Sequence, residues 1–301
     1  MSNTDLHGRK AIITSLDLAS ATMANADYHA HAAIGSSSLK ALDREGPEYA
    51  YAYHAGELRA ASSSMAIGSA VHAVIDGTYH ELYSTAPSGR GFGSRDTQAF
   101  AQHQEEMLKE GDSRTLLTAS EAKLVERCGD ALKRFFGNRF NGNRAWREPS
   151  LFWQQPVEGR EPLACKCRPD ILIDDGTGGA WYPELKTSTQ IGDAAVRSAF
   201  WRYGYWIQQS QYEAGILACG AILVRTRFVF VRTVPPHDVR VYAITGDDRD
   251  NAAIQWRKLV ADWARRRDEN DWTDASLDKP RELRLGVRGE ADDLEQAELL
   301  P

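Results

Sequence analysis

The sequence has no long hydrophobic run and no excess of positive charge. No uninterrupted apolar stretch approaches the roughly 20 residues that a membrane-spanning helix needs, and the opening residues MSNTDLHGRK lack the basic-then-apolar layout of a signal peptide. The 36 Lys and Arg residues are outnumbered by 42 Asp and Glu, which gives a formal net charge of -6. We therefore expect a cytoplasmic protein without membrane attachment, in which any polyanion site depends on local basic patches or bound metal.

Cysteine is also scarce. The four cysteines, Cys128, Cys165, Cys167 and Cys219, are too few and too scattered for a disulfide scaffold in a chain of 301 residues, so reduced thiols are expected. Apolar material, in contrast, is sufficient for a large core, because 42% of the residues are hydrophobic and eight are Trp. The length fits one large domain or two ordinary ones, and a folded globular protein is expected.

The first half of the chain has mainly helical patterns. Residues 1–34 are rich in Ala, Ser and Asp without a clear period and predict an extended or partly ordered arm. Residues 35–57 predict two short helices, and the apolar spacing of residues 65–75 predicts a buried helix. Residues 84–97 combine Gly, Pro and Arg and predict a mobile basic loop. Residues 98–136 have helical periodicity with mixed charge.

The second half of the chain changes to strand patterns. Over residues 146–188, short apolar runs separated by Gly, Pro and Asp predict a β-meander. A long aromatic-rich helix is expected over residues 193–219, and alternating apolar and basic residues over 221–234 predict another strand. Residues 247–272 are expected to be helical, ahead of an acidic and frayed C-terminal stretch. These patterns together predict an α/β architecture.

The most informative feature is a set of charged residues in the strand region. Asp170 leads an apolar run, and Glu184 and Lys186 follow an aromatic run fourteen residues later. Because side chains alternate between the two faces of a strand, Glu184 and Lys186 project together while Leu185 turns into the core. Asp170 lies at the start of the preceding strand and can meet them.

These residue types have the chemistry of a metal-assisted phosphodiester hydrolase. The carboxylates of Asp170 and Glu184, with the backbone carbonyl of Leu185 and waters, would make the octahedral, all-oxygen site that Mg²⁺ prefers, and Mn²⁺ is expected to substitute for it. The metal would act as a Lewis acid on a phosphoryl oxygen. The ammonium group of Lys186 can orient or help to deprotonate an attacking water and neutralise charge on the phosphate.

A triplet of Glu, any residue and Lys is weak support by itself, because the sequence contains a second one. Glu121 and Lys123 lie in a charged helical stretch with no Asp-led strand before it, and an exposed helix face explains them. For Glu184 and Lys186, the alternative is a solvated ion pair on an edge strand. The local pattern leaves both interpretations open, and the neighbouring motifs decide between them.

Four motifs in this order, GSAVH, RPD, ELK and QQSQY, resemble those of the PD-(D/E)XK nuclease superfamily, and most closely its RecE-type (exodeoxyribonuclease VIII-like) phage and prophage exonucleases. The similarity runs from about Gly35 to Val234. It implies a restriction-endonuclease-like α/β core over about residues 60–235, with a central mixed sheet flanked by helices and helical additions at both ends. A nuclease domain is then expected over residues 35–280, between the N-terminal arm and an acidic tail at 281–301.

The resemblance also implies roles for further residues. It places His72, at the end of the G-x-x-x-H helix, near the metal. It places Gln208 and Tyr212, which are one helical turn apart, within reach of the lysine, a metal-bound water or a DNA phosphate. Glu148 matches an acidic position often found at this point in related sequences, as a further ligand or a structural anchor. Without the resemblance, His72 is more simply explained as a core residue, and Gln208 and Tyr212 as residues of a helix surface and core.

The implied activity is Mg²⁺-dependent, processive 5′ to 3′ hydrolysis of linear duplex DNA in phage-type recombination within a bacterial host. A single-strand annealing or recombinase protein is the implied partner, and a ring-shaped homo-oligomer is the implied assembly. Some relatives hold an iron-sulfur cluster, but the cysteines of this chain lack the clustered C-terminal triplet which that arrangement uses. No cluster is therefore expected.

Contacts to nucleic acid are expected from Arg90 and Arg95 in the basic loop and from Ser188, with solubility as the simpler explanation of the arginines. The aromatic residues within 201–206 could stack on unpaired bases but are interpreted as helix packing. Two alternatives to a DNA exonuclease stay open. The first is a catalytically inactive DNA-binding or structural module of the same fold, against which the intact acidic and lysine residues argue. The second is a nuclease with endonuclease or RNA specificity, which the sequence does not separate from an exonuclease.

Overall fold

A computed structural model of the protein describes residues 23–58, 63–89, 91–137, 144–174 and 179–273. A five-stranded mixed sheet lies between helices that cover both of its faces, which confirms the predicted α/β fold class. Within the described residues, no helix is both long enough and apolar enough to cross a membrane.

The elements are numbered in chain order. The helices of the described residues are α1 (Asn25–Ala30), α2 (Ser36–Glu45), α3 (Pro47–Ala55), α4 (Ser63–Asp76), α5 (Tyr79–Leu82), α6 (Gln98–Lys109), α7 (Ala119–Phe136), α8 (Asp193–Arg202), α9 (Tyr205–Ala218) and α10 (Gly246–Glu269). The strands are β1 (Tyr83–Thr85), β2 (Thr115–Leu117), β3 (Arg144–Arg147), β4 (Leu151–Val157), β5 (Arg160–Cys167), β6 (Ile171–Asp174), β7 (Gly179–Ser188), β8 (Leu223–Arg232) and β9 (Val239–Tyr242).

The central sheet has the strand order β3-β6-β7-β8-β9, so β7 is its middle strand. Strands β7 and β8 run parallel, with Gly179 opposite Leu223 and Ser188 opposite Arg232. The other pairs of this sheet are antiparallel. A parallel pair needs a crossover connection, and α8 and α9 supply it here.

The side chains of β7 alternate between two hydrophobic cores. Ala180 and Tyr182 belong to the larger core, to which α2, α9, α10 and the β4–β5 hairpin contribute. Leu185 belongs to the other core, with Val229 and Val231 of β8 and residues of α4 and α7. Because both faces of β7 are covered, its apolar residues are buried, apart from the half-buried Trp181, and its charged residues occupy sheltered positions.

The strands predicted between residues 146 and 188 are present, but they do not form one meander. Strands β4 and β5 pair with each other as a separate hairpin, which turns at Gly159 with a φ of 67°. Strand β3 pairs instead with β6, with Ala145 opposite Ile173. The hairpin is separate because its apolar residues, such as Trp153 and Leu163, are buried against the α9 and α10 side of the protein.

The predicted helical region and the predicted long helix are each divided in the structure. Residues 98–136 form α6 and α7 with strand β2 between them, because Thr118 and Glu121 make a capping box that fixes the start of α7. Residues 193–219 are divided at Gly204, whose φ of 57° is in the left-handed region. Aromatic residues continue on both sides of Gly204, so residue spacing alone does not reveal that break.

Part of the predicted N-terminal arm is ordered against the core. Helix α1 lies within it, and Ile34 exchanges backbone hydrogen bonds with β5. The buried ammonium group of Lys166 donates hydrogen bonds to the carbonyls of Tyr28 (2.6 Å) and His31 (2.8 Å). These contacts attach the described part of the arm to the hairpin.

The predicted buried helix and C-terminal helix are both present. In α4, Val71 is fully buried, but Met65 is 60% exposed because it lies in the first turn, before the helix reaches the core. Helix α10 buries Trp256 and Trp263, so it is part of the main core. The acidic tail expected at 281–301 lies outside the described residues.

Candidate active site

Strands β6 and β7 bring the predicted acidic residues together. Asp170 immediately precedes β6. Glu184 and Lys186 lie on the face of β7 that is turned toward α9, whereas Leu185 is 3% exposed in the opposite core. Because β7 is the middle strand of the sheet, a solvated edge-strand pair does not explain the Glu184–Lys186 contact.

Asp170 is held from two sides. Its Oδ2 accepts a hydrogen bond from the backbone amide of Leu185 at 2.6 Å, and its Oδ1 lies 3.4 Å from Nδ1 of His72. Burial alone would raise the pKa of Asp170, but the charge and hydrogen bond of His72, the charge of Lys186 and the Leu185 amide outweigh burial and lower it. Asp170 is therefore a carboxylate at neutral pH.

Glu184 is 2% exposed, and its two oxygens have different surroundings. Oε1 accepts hydrogen bonds from Nζ of Lys186, at 2.9 Å, and from the side-chain amide of Gln208. Oε2 is buried and has no hydrogen-bond partner among the described residues. Burial, and then the negative charge of Asp170, raise the pKa of Glu184. An unpartnered buried carboxylate oxygen is unfavourable unless a ligand satisfies it.

Gln208 links Glu184 to Lys40, a residue that the sequence analysis did not select. Nζ of Lys40, on α2, donates a hydrogen bond to Oε1 of Gln208 at 3.1 Å. Because a lysine can only donate, it selects the amide oxygen and leaves the amide NH₂ of Gln208 to donate to Glu184. Lys40 lies in the segment IGSSSLKAL (residues 34–42), and nothing in the sequence indicates its partner.

Tyr212, predicted to share the site with Gln208, lies at its border. Its side chain is 9% exposed and packs on Tyr182 of β7, with ring centroids 5.9 Å apart. Burial, and then the charge of Glu184, raise the pKa of Tyr212 well above its ordinary value. In the described residues no side-chain hydrogen bond joins Tyr212 to Glu184 or to Lys186, so packing is the role that its contacts show.

A second group of acidic residues borders Asp170. The backbone amide of Glu148 donates a hydrogen bond to the carbonyl of Asp170 at 2.9 Å. Glu148 lies between β3 and β4 with a φ of 44°. Burial, and then Asp76 and Asp170, raise the pKa of Glu148. No three His, Cys, Asp or Glu side chains of the described residues form a ready-made metal cluster.

The residues expected to contact nucleic acid have different positions. Arg95 is 2.8 Å from the carboxylate of Glu121, which belongs to the capping box of α7, so this carboxylate has a structural role. Ser188 lies two residues beyond Lys186 on the same face of β7, and its hydroxyl donates to the carbonyl of Gln190. Arg90 lies outside the described residues.

The aromatic residues between α8 and α9 divide into two groups. Tyr205 stacks on Phe228 of the sheet, which agrees with helix packing. Trp201 and Tyr203 are 69% and 49% exposed. The interpretation as packing therefore holds for only part of this segment. The cysteines Cys128, Cys165, Cys167 and Cys219 are all free thiols.

An acidic residue ahead of one strand and a Glu-x-Lys triplet on the next, in a mixed sheet covered by helices, are the features of the PD-(D/E)XK fold. The chain belongs to the family described as a PDDEXK-like domain of unknown function (DUF3799), whose model matches residues 35–276. The resemblance of the sequence motifs to the PD-(D/E)XK superfamily is confirmed by this match.

A solved structure supports the fold. The chain is 14% identical to the "putative exonuclease" of Eubacterium rectale, with a TM-score of 0.55 over 91% of this chain and 98% of that chain. A phage related exonuclease from Haemophilus somnus 129PT has 13% identity and a TM-score of 0.31, over 79% of this chain and 96% of that chain. The first likeness supports the fold, and the second is too weak to carry an argument. No curated protein matches the chain.

Proposed function

We propose that the protein is a Mg²⁺-dependent deoxyribonuclease that hydrolyses linear duplex DNA from the 5′ toward the 3′ end. The observation that carries this proposal is the arrangement around Glu184. One oxygen of this buried carboxylate is held by Lys186 and Gln208, and the other has no partner among the described residues and lies in a site shared with Asp170. A cation would satisfy that oxygen and offset the mutual repulsion of the two carboxylates.

The donor set fits Mg²⁺. Asp170 and Glu184 would hold the ion together with the carbonyl of Leu185 and with water, and Mn²⁺ has the same preference for oxygen ligands. His72 is held in an ion pair with Asp170 and would orient that carboxylate or join the ligands when neutral. When bound, the metal would supply Lewis-acid polarisation of a phosphoryl oxygen.

The residues of the chain would position the reacting groups. Lys186 keeps Glu184 in place with one N–H group, and an ammonium has two more donors for an attacking water or a phosphate oxygen. Gln208 fixes Glu184 from the opposite helix. Neither group is free to rotate without breaking a buried hydrogen bond, so the site is organised before substrate binds.

Duplex DNA as the substrate, a single-strand annealing or recombinase partner and a ring-shaped oligomer follow from the motif resemblance and form part of the proposal. Fold alone does not select among phosphodiester substrates. Because the net charge is -6, the attraction of DNA has to come from local cationic side chains and from the metal. Arg90 and Arg95 and the hydroxyl of Ser188 are proposed contacts, and Arg95 would have to exchange its Glu121 partner for a phosphate.

The test is a substrate panel assayed with Mg²⁺ or with EDTA. Linear duplex DNA labelled at the 5′ or the 3′ end, circular duplex, single-stranded DNA and RNA are incubated with wild type and with Asp170→Ala. We expect early release of the 5′ label as nucleotide and late release of the 3′ label, with no release in EDTA or from the variant. Cleavage of the circle would instead identify an endonuclease, and cleavage of RNA alone a ribonuclease. Binding without any cleavage would support the inactive module of the same fold.

A further inference from the structure

Lys40, near the middle of α2, provides a second ammonium group at the site. It has no role in the proposed reaction at the metal. Its Nζ lies 5.6 Å from the centre of the Tyr205 ring, and Nζ of Lys186 lies 5.1 Å from the centre of the same ring. Two cations therefore share one aromatic ring beside Glu184. Such a ring stabilises a cation but does not neutralise its charge.

Among the described residues, the ammonium group of Lys40 has no carboxylate partner. Within the described residues, its hydrogen-bond acceptor is the amide oxygen of Gln208, and no acidic group lies within ion-pair distance. One of its three N–H donors is used, so two remain for a ligand. Burial, and then the positive charge of Lys186, lower the pKa of Lys40 to about 7, and the opposing effect of the Glu184 charge is smaller.

A second cation extends from Lys40 toward solvent. Arg44 is exposed and lies one helical turn beyond Lys40 on α2. Both side chains pass over Gly204: a Cβ atom at Gly204 would lie 3.0 Å from Nη2 of Arg44 and 3.1 Å from Cγ of Lys40. Lys186, Lys40 and Arg44 thus form a line of positive charge from the buried carboxylates to the surface at the start of α9.

We propose that Lys40 binds a backbone phosphate of the nucleic-acid strand, next to the phosphodiester that is held at Asp170 and Glu184. This inference rests on the proposed nuclease function and adds a phosphate subsite to it. A phosphodiester brings one negative charge and two non-bridging oxygens, which match an uncompensated cation with free N–H donors. A neutral ligand would leave the repulsion between Lys40 and Lys186 in place.

The test measures DNA binding without cleavage. Fluorescence anisotropy of labelled linear duplex DNA is followed in EDTA, at pH 6.5, over a series of salt concentrations, for wild type, Lys40→Met, Lys40→Arg and Lys258→Met. Lys258 is an exposed lysine of α10 and serves as the matched control. Each phosphate contact contributes about 0.9 to the slope of log K against log salt for duplex DNA. We expect Lys40→Met to lower the slope by about 0.9, Lys40→Arg to keep it, and Lys258→Met to leave it unchanged.

Other outcomes would contradict the phosphate subsite at Lys40, and one of them would also contradict the proposed substrate. If wild type binds and Lys40→Met keeps the wild-type slope, Lys40 contacts no phosphate and the phosphate subsite is wrong, while the proposed function stands. An equal loss of slope in Lys258→Met would assign the effect to overall charge and would also refute the subsite. If wild type binds no DNA at any salt concentration, the inference and the proposed substrate both fail.

Discussion

Among single residues, Glu184 is the most constrained side chain of the candidate site. It is buried in the middle strand of the sheet, it accepts hydrogen bonds from Lys186 and Gln208 on one oxygen, and its other oxygen has no partner in the described residues. Burying a charged group in this way lowers stability unless a partner compensates it. The proposed divalent cation would supply that compensation, which leads to a prediction that does not depend on activity.

Mg²⁺ is expected to raise the melting temperature of wild type and to have no such effect on Glu184→Gln. A ligand that binds only the folded state stabilises it by about 2.7 kcal/mol at a concentration one hundred times its Kd, and the neutral amide of this variant offers no charge to the ion. Thermal unfolding with Mg²⁺ or EDTA checks this. Glu126→Gln, at an exposed position of α7, is the control and should keep the wild-type shift. If Mg²⁺ raised the melting temperature of Glu184→Gln as much as that of wild type, Glu184 would not be a ligand of the proposed metal.

The His72–Asp170 pair predicts a pH-dependent stability in EDTA. Burial lowers the pKa of His72, but the charge and hydrogen bond of Asp170 outweigh it and raise the pKa to about 9, from 6.5. A raised histidine pKa adds stability that is complete below about pH 6.5 and is lost as the pH rises through about 9. The free energy of unfolding of wild type should therefore exceed that of His72→Gln by at most about 3 kcal/mol at pH 6, with the difference shrinking toward pH 9.

Denaturant titrations of both proteins across this range measure that difference. Lys40 titrates with the opposite sign in the same range, because its folded pKa is lowered to about 7. The comparison with His72→Gln removes this contribution, since Lys40 is present in both proteins. A difference that does not change between pH 6 and pH 9 would contradict the ion pair.

The sequence predicted the charged residues of the site better than the residues that hold them. Strand alternation was sufficient to place Glu184 and Lys186 on one face, because that rule is local. The contact between Lys40 and Gln208 joins residues 168 positions apart, so no local pattern contains it. Arg95 was expected to face DNA, and its pairing with Glu121 likewise depends on a long-range contact.

At the scale of elements, the break between α8 and α9 positions the site. Gly204 is the N-cap of α9 and has a left-handed backbone, so that α9 directs Gln208 at β7 while the side chains of Lys40 and Arg44 cross the turn. The sequence predicted a continuous helix here because apolar spacing does not reveal a change of direction. The separate β4–β5 hairpin was missed for a related reason, since strand pairing depends on which core buries each strand.

Gly204→Ala is expected to lower the free energy of unfolding by about 1–2 kcal/mol, because an L-residue is strained at this φ of 57°. The added methyl group also approaches the side chains of Lys40 and Arg44, so DNA binding should weaken as well. Urea unfolding and the anisotropy assay measure the two effects. Gly192→Ala is the matched control, because nothing lies within 4 Å of its Cβ position and its φ of -75° is ordinary. Equal losses of stability and of DNA binding in both variants would show that the left-handed backbone and close contacts of Gly204 are not what makes this position sensitive.

At the scale of the whole molecule, the C-terminal helix and the sheet share one core. Trp256 and Trp263 of α10 are 4% and 2% exposed and belong to the cluster that includes Tyr182 of β7. The predicted α/β class followed from the order of sequence patterns, but the contribution of α10 to the main core did not. Amphipathic spacing shows that a helix is buried on one side and does not show which element covers it.

Trp263→Ala should therefore destabilise the whole molecule in one transition. Truncation of a buried Trp costs about 3–5 kcal/mol, and the melting temperature followed by far-UV and near-UV circular dichroism should fall together. Trp201→Ala, at a residue that is 69% exposed, is the control and should change stability by less than about 0.5 kcal/mol. Two separate transitions in Trp263→Ala would show that α10 unfolds independently of the sheet.

The central claim is that the Glu-x-Lys triplet on β7, and not the one on α7, supports metal-dependent hydrolysis of DNA. The measurement that tests it most directly is the rate of Mg²⁺-dependent nucleotide release from 5′-labelled linear duplex DNA by wild type, Lys186→Met and Lys123→Met. We expect Lys186→Met to lose at least about 100-fold in rate, which is the usual cost of removing a group that stabilises transition-state charge, and Lys123→Met to match wild type. Wild-type rates in folded Lys186→Met, or release by wild type that persists in EDTA, would contradict the account.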